Sequence, residues 1–374
     1  MAKAVFDTAG MLGEIRSWVE IESPTTAPDA VNRMVDLVEH SYQGTGAELE
    51  RIPGINGFGD HLIARSPWGQ ANRGILVLSH LDTVHPLGFI ERLPFRVEGD
   101  VAFGPGIYDM KAGAYMAFHA FREMARLGTG GSLPVTHLYV SDEEVGSPTS
   151  REIIEREAHN ANFVLVTEPA REGGKIVTAR KGTARFELHV KGQPAHSGSR
   201  HQDGRSAIRE LAHQILAIEA LTDYEKGVTT NVGIIRGGTR ANVIPEDAHA
   251  EIDMRITSPA QAAEMVGKIL ALKAHGDGVT VSITGGLNRP PYEKDERIAN
   301  LFARAKGLAA EIGYELHDLK TGGGSDGNFT AAISPTLDGL GVDGKGGHTH
   351  YEQIYVSSVA PRSQLFYRLF ETLQ

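Results

Sequence analysis

The chain has 374 residues, of which 41% are hydrophobic and 22% are charged, and its formal net charge is -10 at pH 7. Because no surplus of basic residues is available to neutralise phosphates, this charge argues against nucleic-acid or anionic-membrane partners. The chain contains no cysteine. This excludes thiol nucleophiles, disulfides and thiolate metal sites, so that any metal must be bound by His, Asp and Glu.

The length exceeds what one hydrophobic core usually covers and predicts two domains. No apolar run approaches the roughly 20 residues that are needed to span a bilayer. Residues 1–7 lack the apolar core of a signal peptide. We therefore expect a cytoplasmic enzyme with no membrane partner.

Residues 1–179 are predicted to form the first part of the larger domain. Helix-like and strand-like segments alternate there, which is typical of an α/β fold with a mostly parallel sheet flanked by helices. Short apolar runs without alternation indicate buried parallel strands. The predicted elements are helices at 11–19 and 31–38 and strands at 75–78, 135–140 and 163–166.

Two aspartates and a histidine lie near the first of these strands. His80 follows it, and Asp82 comes two residues later, so that both side chains point to the same side of an extended segment. A metal-binding histidine usually donates its second ring N–H to a carboxylate, and Asp82 is placed to accept it. Asp109 follows a glycine-rich loop and precedes an alanine-rich helix. Taken singly, His80 could be a strand-end histidine beside a turn aspartate, and Asp109 a helix N-cap.

The next two strands also end in carboxylates. Glu143 and Glu144 follow the second strand, and Glu168 follows the third. Consecutive carboxylates repel one another unless a cation is close, although a solvated acidic loop is an alternative at 142–144. Open α/β sheets bind ligands outside the carboxyl ends of their strands, so we expect these side chains to meet at one edge.

Residues 180–289 are predicted to form a second, inserted domain. The order of its elements, β-α-β-β-α-β, is that of the ferredoxin-like split βαβ unit. Each predicted helix has one apolar face, so both helices should cover one face of a small sheet. The predicted elements are strands at 183–190, 229–237, 248–256 and 279–284 and helices at 205–221 and 259–274.

Residues 290–374 return to α/β character and are predicted to complete the larger domain. A helix is expected near 298–312 and a closing helix after Val359, and His348 lies in a glycine-rich segment between them. Residues 323–327 fit the G-x-S-x-G motif of serine hydrolases, with Asp338 and His348 following in the required order. The preceding segment is mostly polar, however, and does not provide the apolar strand that such a motif follows.

A charge count connects the scattered candidates. Three carboxylates and two neutral imidazoles, together with one hydroxide, would neutralise two Zn²⁺ ions, each with three protein ligands and a shared oxygen. Asp109 would bridge the ions, and Co²⁺ or Mn²⁺ are possible substitutes. Glu143, left without a metal, could act as general base on the bridging water. One ion would take His80 and Glu168, and the other would take Glu144 and His348.

With these residues assembled, the chain resembles the dizinc aminoacylase and carboxypeptidase family over nearly its whole length. The glutamate carboxypeptidase branch is the most similar, through 94–100 and 321–326, whereas 180–182 are more typical of the deacetylase branch. Ala112 stands where the family usually has glycine. The resemblance rests on 79–84, 104–111, 142–147, 167–169, 192–198, and His348 with Glu352.

The resemblance implies roles that the residues alone do not establish. It implies a cis peptide after Asp109 and a homodimer formed through the inserted lid domain, with His196 reaching a dimer partner's site to polarise the scissile carbonyl. Asn242, Arg289 and the backbone at Gly323 would bind a substrate carboxylate, since a guanidinium can bind both oxygens. Without the resemblance, His196 reads as a surface-loop histidine and Arg289 as a hinge residue.

The sequence therefore predicts a zinc-dependent hydrolase that cleaves an amide or peptide bond next to a carboxylate-bearing amino acid. The substrate would be a small peptide, as in a glutamate carboxypeptidase, or an N-acyl amino acid, as in acetylornithine deacetylase or a desuccinylase. Glu143 would take a proton from the attacking water and pass it to the leaving nitrogen. The alternatives are a serine hydrolase that uses Ser325 and a non-catalytic amino-acid-binding protein.

Overall fold

The computed structural model describes residues 3–69 and 73–374, and the chain divides into two compact units. Unit 1 comprises Met1–Ala179, Lys294–Lys320 and Ser325–Gln374, and unit 2 comprises Arg180–Glu293 and Thr321–Gly324. None of the helices in this described part of the chain is long and apolar enough to cross a membrane.

The elements follow one another in the order that the sequence pattern suggests, with several short strands added. In chain order they are α1 (Thr8–Val19), α2 (Pro28–Ser41), β1 (Glu48–Ile52), β2 (His61–Arg65), β3 (Gly74–His80), β4 (Arg96–Glu98), β5 (Val101–Phe103), α3 (Ala112–Leu127), β6 (Val135–Val140), α4 (Arg151–His159), β7 (Ala161–Val166), β8 (Ile176–Arg180), β9 (Gly182–Lys191), α5 (Ala207–Glu219), β10 (Thr229–Gly237), β11 (Asp247–Ile256), α6 (Pro259–Leu270), β12 (Thr280–Arg289), α7 (Glu296–Ile312), β13 (Asp318–Thr321), α8 (Gly327–Thr330), β14 (Thr336–Leu337), β15 (Gly344–Lys345), β16 (Gln353–Tyr355) and α9 (Val359–Thr372).

The central sheet of unit 1 has the strand order β1-β2-β6-β3-β7-β14. Strand β3 pairs in parallel with both β6 and β7, and β7 pairs in parallel with β14, whereas the β1-β2 and β2-β6 pairs are antiparallel. This confirms the predicted mostly parallel sheet, whose three central strands end side by side.

Apolar burial explains why these three strands form. Every residue of β3 is buried, as expected for a parallel strand that is covered on both faces. Alternate residues of the central strands pack with Ile154 and Ala158 of α4 and with Phe329 of α8. Burying each large aliphatic side chain contributes roughly 1.5–3 kcal/mol, so these contacts stabilise the three central strands. The strand side chains in this cluster are Ile63, Leu76, Leu78, Leu138, Val140, Ala161, Val164 and Val166.

Unit 2 contains an antiparallel sheet of order β10-β11-β9-β12. Its element sequence, β9-α5-β10-β11-α6-β12, is β-α-β-β-α-β. Side chains of β9 alternate between buried and exposed, and those of β11 alternate mainly between buried and half-buried. One face of the sheet packs against α5 and α6, and the other does not. The chain enters this unit at Arg180 and leaves it at Glu293, four residues beyond the predicted boundary at 289.

Candidate metal centre

The three parallel strands β3, β6 and β7 deliver polar side chains to one edge of the sheet. His80 is the last residue of β3, and Glu143–Val145 form a single 3-10 turn just after β6. Glu168 lies two residues beyond the end of β7. Parallel neighbours end at the same edge, so backbone register alone brings these residues together.

Asp109 lies at the centre of the cluster and contacts a different histidine through each carboxylate oxygen. Its Oδ1 lies 3.1 Å from His80 Nε2, and its Oδ2 lies 3.3 Å from His348 Nε2. The His348 nitrogen also lies 3.2 Å from Glu144 Oε2, and the His80 nitrogen lies 3.7 Å from Glu168 Oε1. Asp109 is therefore shared between two groups of three residues.

These two groups have the dimensions of cation sites. The ligand atoms of His80, Asp109 and Glu168 all lie within 4.8 Å of one another, as do those of Asp109, Glu144 and His348. Glu144 Oε1 is buried, and among residues 3–69 and 73–374 it has no hydrogen-bond partner. A buried carboxylate oxygen is costly to leave unpartnered. The nitrogen and oxygen donors, together with this orphaned atom, fit a pair of divalent cations.

The electrostatics of the cluster also favour positive charge. Hydrogen bonds to Asp109 and Glu144 raise the pKa of His348 to about 11. Burial alone would lower the pKa of His80, but hydrogen bonds to Asp109 and Asp82 raise it well above its ordinary value. Burial raises the pKa of Glu144 as well. The carboxylates thus hold protons on both imidazoles, and a metal that binds here must displace those protons.

Asp82 fixes His80 and also the turn that carries Glu143 and Glu144. The carbonyl oxygen of Asp82 lies 2.9 Å from His80 Nδ1, whereas its carboxylate lies 3.5 Å away, so the main chain is the nearer acceptor of the ring N–H. The buried carboxylate instead accepts the Thr25 hydroxyl at 2.7 Å and the backbone N–H groups of Glu143 and Glu144, each at 3.2 Å. With Nδ1 donating, His80 Nε2 is left as the metal-facing atom.

The three consecutive acidic residues at 142–144 have different roles: Asp142 stabilises the local structure, and Glu143 and Glu144 belong to the site. Asp142 is fully buried, and its carboxylate accepts the Thr149 backbone N–H at 2.6 Å and the Ser150 hydroxyl at 2.5 Å. Glu144 lies beside His348, and the charge of Glu143 helps to raise the pKa of His80. The triplet is therefore not a solvated acidic loop, because Asp142 caps the following segment and Glu144 contacts His348.

Glu352 and His85 support the loop that carries Asp109, and sequence reasoning assigned His85 no role. The buried Glu352 carboxylate accepts the backbone N–H groups of Gly106, Tyr108 and Asp109, each at 2.9 Å. It also lies 2.7 Å from His85 Nε2. No local sequence pattern predicts the contact between His85 and Glu352, because the two residues are 267 positions apart in the sequence.

Close backbone packing fixes the same loop. The peptide bond between Asp109 and Met110 is cis, as the family resemblance implies. A Cβ atom added at Gly113, in the first turn of α3, would lie 2.1 Å from the Thr167 carbonyl oxygen. Only glycine allows α3 to approach the segment before Glu168 so closely.

Ser325 does not have the surroundings of a nucleophile. It is fully buried, and its hydroxyl donates a hydrogen bond to Asp338. The Gly327 backbone N–H donates to the same hydroxyl at 3.0 Å. His348, the third member of the serine-hydrolase alternative, has its Nε2 atom between Asp109 and Glu144 instead. The geometry gives this alternative no support.

His196, predicted to be catalytic, and the predicted substrate-binding residues Asn242, Arg289 and Gly323 lie in unit 2. His196 is exposed, and its Nδ1 accepts the backbone N–H groups of Gly198 at 3.1 Å and Ser199 at 3.2 Å. The carbonyl of the exposed Asn242 accepts the Ser197 N–H at 3.1 Å. Because Nδ1 of His196 accepts, a neutral imidazole carries its proton on Nε2 and is a hydrogen-bond donor there.

Arg289 and the glycine loop at Thr321–Gly324 pack together in unit 2. Arg289 is buried, and a Cβ atom added at Gly324 would lie 2.9 Å from its Cδ atom. The buried Arg180 donates to the carbonyl oxygens of Gly323 at 3.1 Å and Gly324 at 3.3 Å. How these residues serve the metal centre of unit 1 stays a prediction.

Comparison with known proteins identifies the family. The family model described as Peptidase family M20/M25/M40 matches residues 76–372. Carboxypeptidase G2 of Pseudomonas sp. (strain RS-16) is 28% identical over 367 residues, which covers 96% of this chain and 88% of that protein. Succinyl-diaminopimelate desuccinylase of Delftia acidovorans is 26% identical over 377 residues, which covers 95% and 96% of the two chains.

Solved structures share the fold over nearly the whole chain. Aminopeptidase PepT from Bacillus cereus superimposes with a TM-score of 0.78 at 23% identity, covering 97% of this chain and 98% of that one. An M20 family metallo-carboxypeptidase from Sulfolobus solfataricus gives a TM-score of 0.77 at 17% identity, with 97% and 99% covered. The family match extends over most of this sequence and includes all five residues of the cluster. The chain therefore belongs to peptidase family M20/M25/M40 and is a hydrolase of amide or peptide bonds.

Proposed function

We propose that the protein is a dizinc exopeptidase that removes a carboxylate-bearing amino acid, glutamate above all, from the C-terminus of a small peptide or acylated amino acid. The observation that carries this proposal is the sharing of Asp109 between two ligand groups, with one oxygen toward each histidine. The similarity to carboxypeptidase G2 along 96% of the chain supports the carboxypeptidase activity.

The ligand residues divide between two ions as the charges require. His80 and Glu168 would hold one zinc, Glu144 and His348 would hold the other, and Asp109 would bridge them. Two bound zinc ions would polarise the scissile carbonyl. They would also lower the pKa of a bound water, so that a hydroxide nucleophile is available near neutral pH. Co²⁺ or Mn²⁺ could take the place of Zn²⁺, since both accept the same nitrogen and oxygen donors.

Glu143 is the general base in this proposed reaction and transfers the proton of the attacking water. Its backbone N–H donates to the fixed carboxylate of Asp82, so the turn holds it beside the ligands. The Glu143 carboxylate accepts the proton of the attacking water and then transfers it to the leaving nitrogen. Water adds to the carbonyl carbon, the C–N bond breaks, and the products are a carboxylic acid and an amine.

The residues of unit 2 would recognise the substrate. His196 of a homodimer partner would donate its Nε2–H to the oxyanion, and Arg289, with Asn242 and the backbone at Gly323, would bind the free carboxylate. The dimer, formed through unit 2, and a cytoplasmic location are parts of the same proposal. Burial of Arg289 supports its role, because a guanidinium shielded from water binds a carboxylate more strongly.

A second candidate function is deacylation of an N-acyl amino acid. The similarity to a desuccinylase covers 95% of this chain, and peptidase and deacylase would use the same ligands and the same base. The two functions differ only in which side of the amide bond is recognised.

A substrate panel separates these functions. Zinc-loaded enzyme is assayed on N-benzoyl and dipeptide substrates that end in glutamate, glutamine or alanine, and on N-acetyl and N-succinyl amino acids. The carboxypeptidase proposal expects hydrolysis of the glutamate substrates with little regard to the acyl group. Uniform rates across C-terminal residues, with strong selection of the acyl group, would favour the deacylase. Full activity after chelation would overturn both.

The role of Arg289 is tested with the same panel. Arg289→Met should raise KM for substrates with a free C-terminal carboxylate by about tenfold or more, because a charge-assisted pair is lost. Carboxamide analogues of the same substrates should be affected little. Arg209→Met, at an exposed position of α5 in the same unit, is the matched control.

A further inference from the structure

A second cluster of metal-type side chains lies on the sheet of unit 2. The side chains of β9 and β11 that point away from α5 and α6 form two adjacent rows across these strands. In one row His189 pairs directly with His249, and in the next row Glu187 pairs directly with Glu251. All four residues share one face, because residues two apart on a strand point the same way.

The atoms in this cluster are close enough to hold one ion. His189 Nε2 lies 3.5 Å from Glu187 Oε2, and the His189 and His249 ring centroids are 4.5 Å apart. One ligand atom from each of Glu187, His189 and His249 lies within 4.8 Å of the other two. The His189 side chain is 53% exposed and that of Glu187 is 63% exposed, so an ion can reach them from solvent.

Local charge gives an independent reason to place a cation here. Like charges directly opposite each other on neighbouring strands are destabilising, and Glu187 and Glu251 are such a pair. The arginine at position 236 pairs in register with His249 from the other side, and Ser282 pairs with His189. Arg236 and Arg185, which lies two residues before Glu187 on the same face of β9, offset part of this negative charge, and a cation bound by Glu187, His189 and His249 would offset more of it.

We propose that Glu187, His189 and His249 bind one divalent transition-metal ion on the exposed face of the sheet in unit 2, separately from the catalytic centre. Two imidazoles and one carboxylate suit Zn²⁺, Ni²⁺ or Cu²⁺, whereas Ca²⁺ and Mg²⁺ prefer all-oxygen sites. The ion would join β9 to β11, and it would retain open coordination positions. Because the ligands meet only in the folded register of these strands, the ion would stabilise the folded protein.

Metal content at controlled free Zn²⁺ tests the proposal on the full chain. Wild type, His189→Asn, His249→Asn and the control His213→Asn are dialysed to equilibrium at rising free Zn²⁺. His213 is exposed, and its ring stacks on that of a second histidine, His275, with the ring centroids 5.2 Å apart. Within the described ranges 3–69 and 73–374, however, these two histidines are in no group of three possible metal ligands. Wild type and the control should bind one more ion per chain than the other two variants.

Thermal unfolding provides a readout that does not depend on counting ions. At Zn²⁺ concentrations above those that fill the catalytic centre, Tm should continue to rise for wild type and His213→Asn and should level off for His189→Asn and His249→Asn. Equal metal content and equal Tm curves in all four proteins would overturn the proposal. A loss of the extra ion in His213→Asn as well would also overturn it.

Discussion

The side-chain carboxylate of Glu352 accepts a hydrogen bond from the main chain of Asp109, whose N–H lies 2.9 Å from Glu352 Oε1. The same carboxylate accepts the N–H groups of Gly106 and Tyr108. The residue that both ligand groups share is therefore oriented by a residue that belongs to neither group. Groups of this kind hold a ligand in position before the metal binds.

Replacing Glu352 should weaken metal binding although the ligands remain. In Glu352→Gln one acceptor oxygen becomes an NH₂ group, which faces N–H donors instead of accepting from them. Zinc affinity should fall by about 10–100-fold, as measured by equilibrium dialysis against a buffered zinc series. Glu371→Gln, at an exposed glutamate of α9, is the control. Unchanged affinity in Glu352→Gln would contradict the positioning role.

Glu143→Gln should separate catalysis from metal binding. The amide keeps the size of the side chain but cannot accept the proton of the attacking water, so kcat should fall by about 10²–10⁴-fold. Metal content should match that of wild type. Glu144→Gln is the informative comparison, because it should lose metal as well as activity. Undiminished hydrolysis by a fully loaded Glu143→Gln enzyme would refute the assignment of the base.

His196→Ala should lower kcat without removing metal. Its Nδ1 atom accepts two backbone N–H groups, which fixes the proton on Nε2 for donation to an oxyanion. Loss of one such donor typically reduces kcat by about 10²–10³-fold, while KM should change little. His201→Ala, at an exposed histidine of the same loop region, should behave like wild type. If both variants lose activity equally, or neither does, the donor role fails.

The metal-free protein should show a pH-dependent contribution from His348. Its pKa is raised from 6.5 to about 11 by Asp109 and Glu144, so its stabilising effect is fully present below the unfolded pKa and is lost as pH rises toward 11. The difference in free energy of unfolding between metal-free wild type and His348→Gln should therefore be largest near pH 6 and should shrink by about pH 10. Urea unfolding at several pH values measures this difference. A constant difference would show that His348 is not stabilised by its carboxylate neighbours.

The sequence predicted the sheet and its edge because both depend on local patterns. Apolar runs predicted β3, β6 and β7 to within two residues at each end, and neighbouring parallel strands have their carboxyl ends at the same edge of the sheet. Helix α1 begins at Thr8, three residues before the predicted start, because Asp7 caps it by accepting the Gly10 N–H. That capping bond comes before the first apolar position of the pattern, Met11, so periodicity alone did not reveal it.

Other features depend on contacts between distant parts of the chain. Strand β12 continues to Arg289, five residues past its predicted end, because its glycines and Leu287 keep pairing with β9. The hydrogen bond between His85 and Glu352 joins two segments that lie far apart in the sequence, so a local pattern cannot predict it. The main-chain carbonyl of Asp82 is nearer to His80 than the predicted carboxylate is, and that carboxylate accepts hydrogen bonds from Thr25 and from the backbone of Glu143 and Glu144 instead. Sequence patterns can predict which residues lie at a site, but they do not specify which atom of a residue contacts its neighbour.

The contribution of Glu352 and His348 also bears on how the protein is made. Both follow His80 by well over half of the 374 residues, so His80 leaves the ribosome long before them. During synthesis at about 5–20 residues per second, the nascent protein would therefore spend many seconds with the first half of the cluster formed and the second half still untranslated. A cation that needs His348 as a ligand, and any hydrolysis that depends on that cation, would therefore have to wait until this segment has left the ribosome.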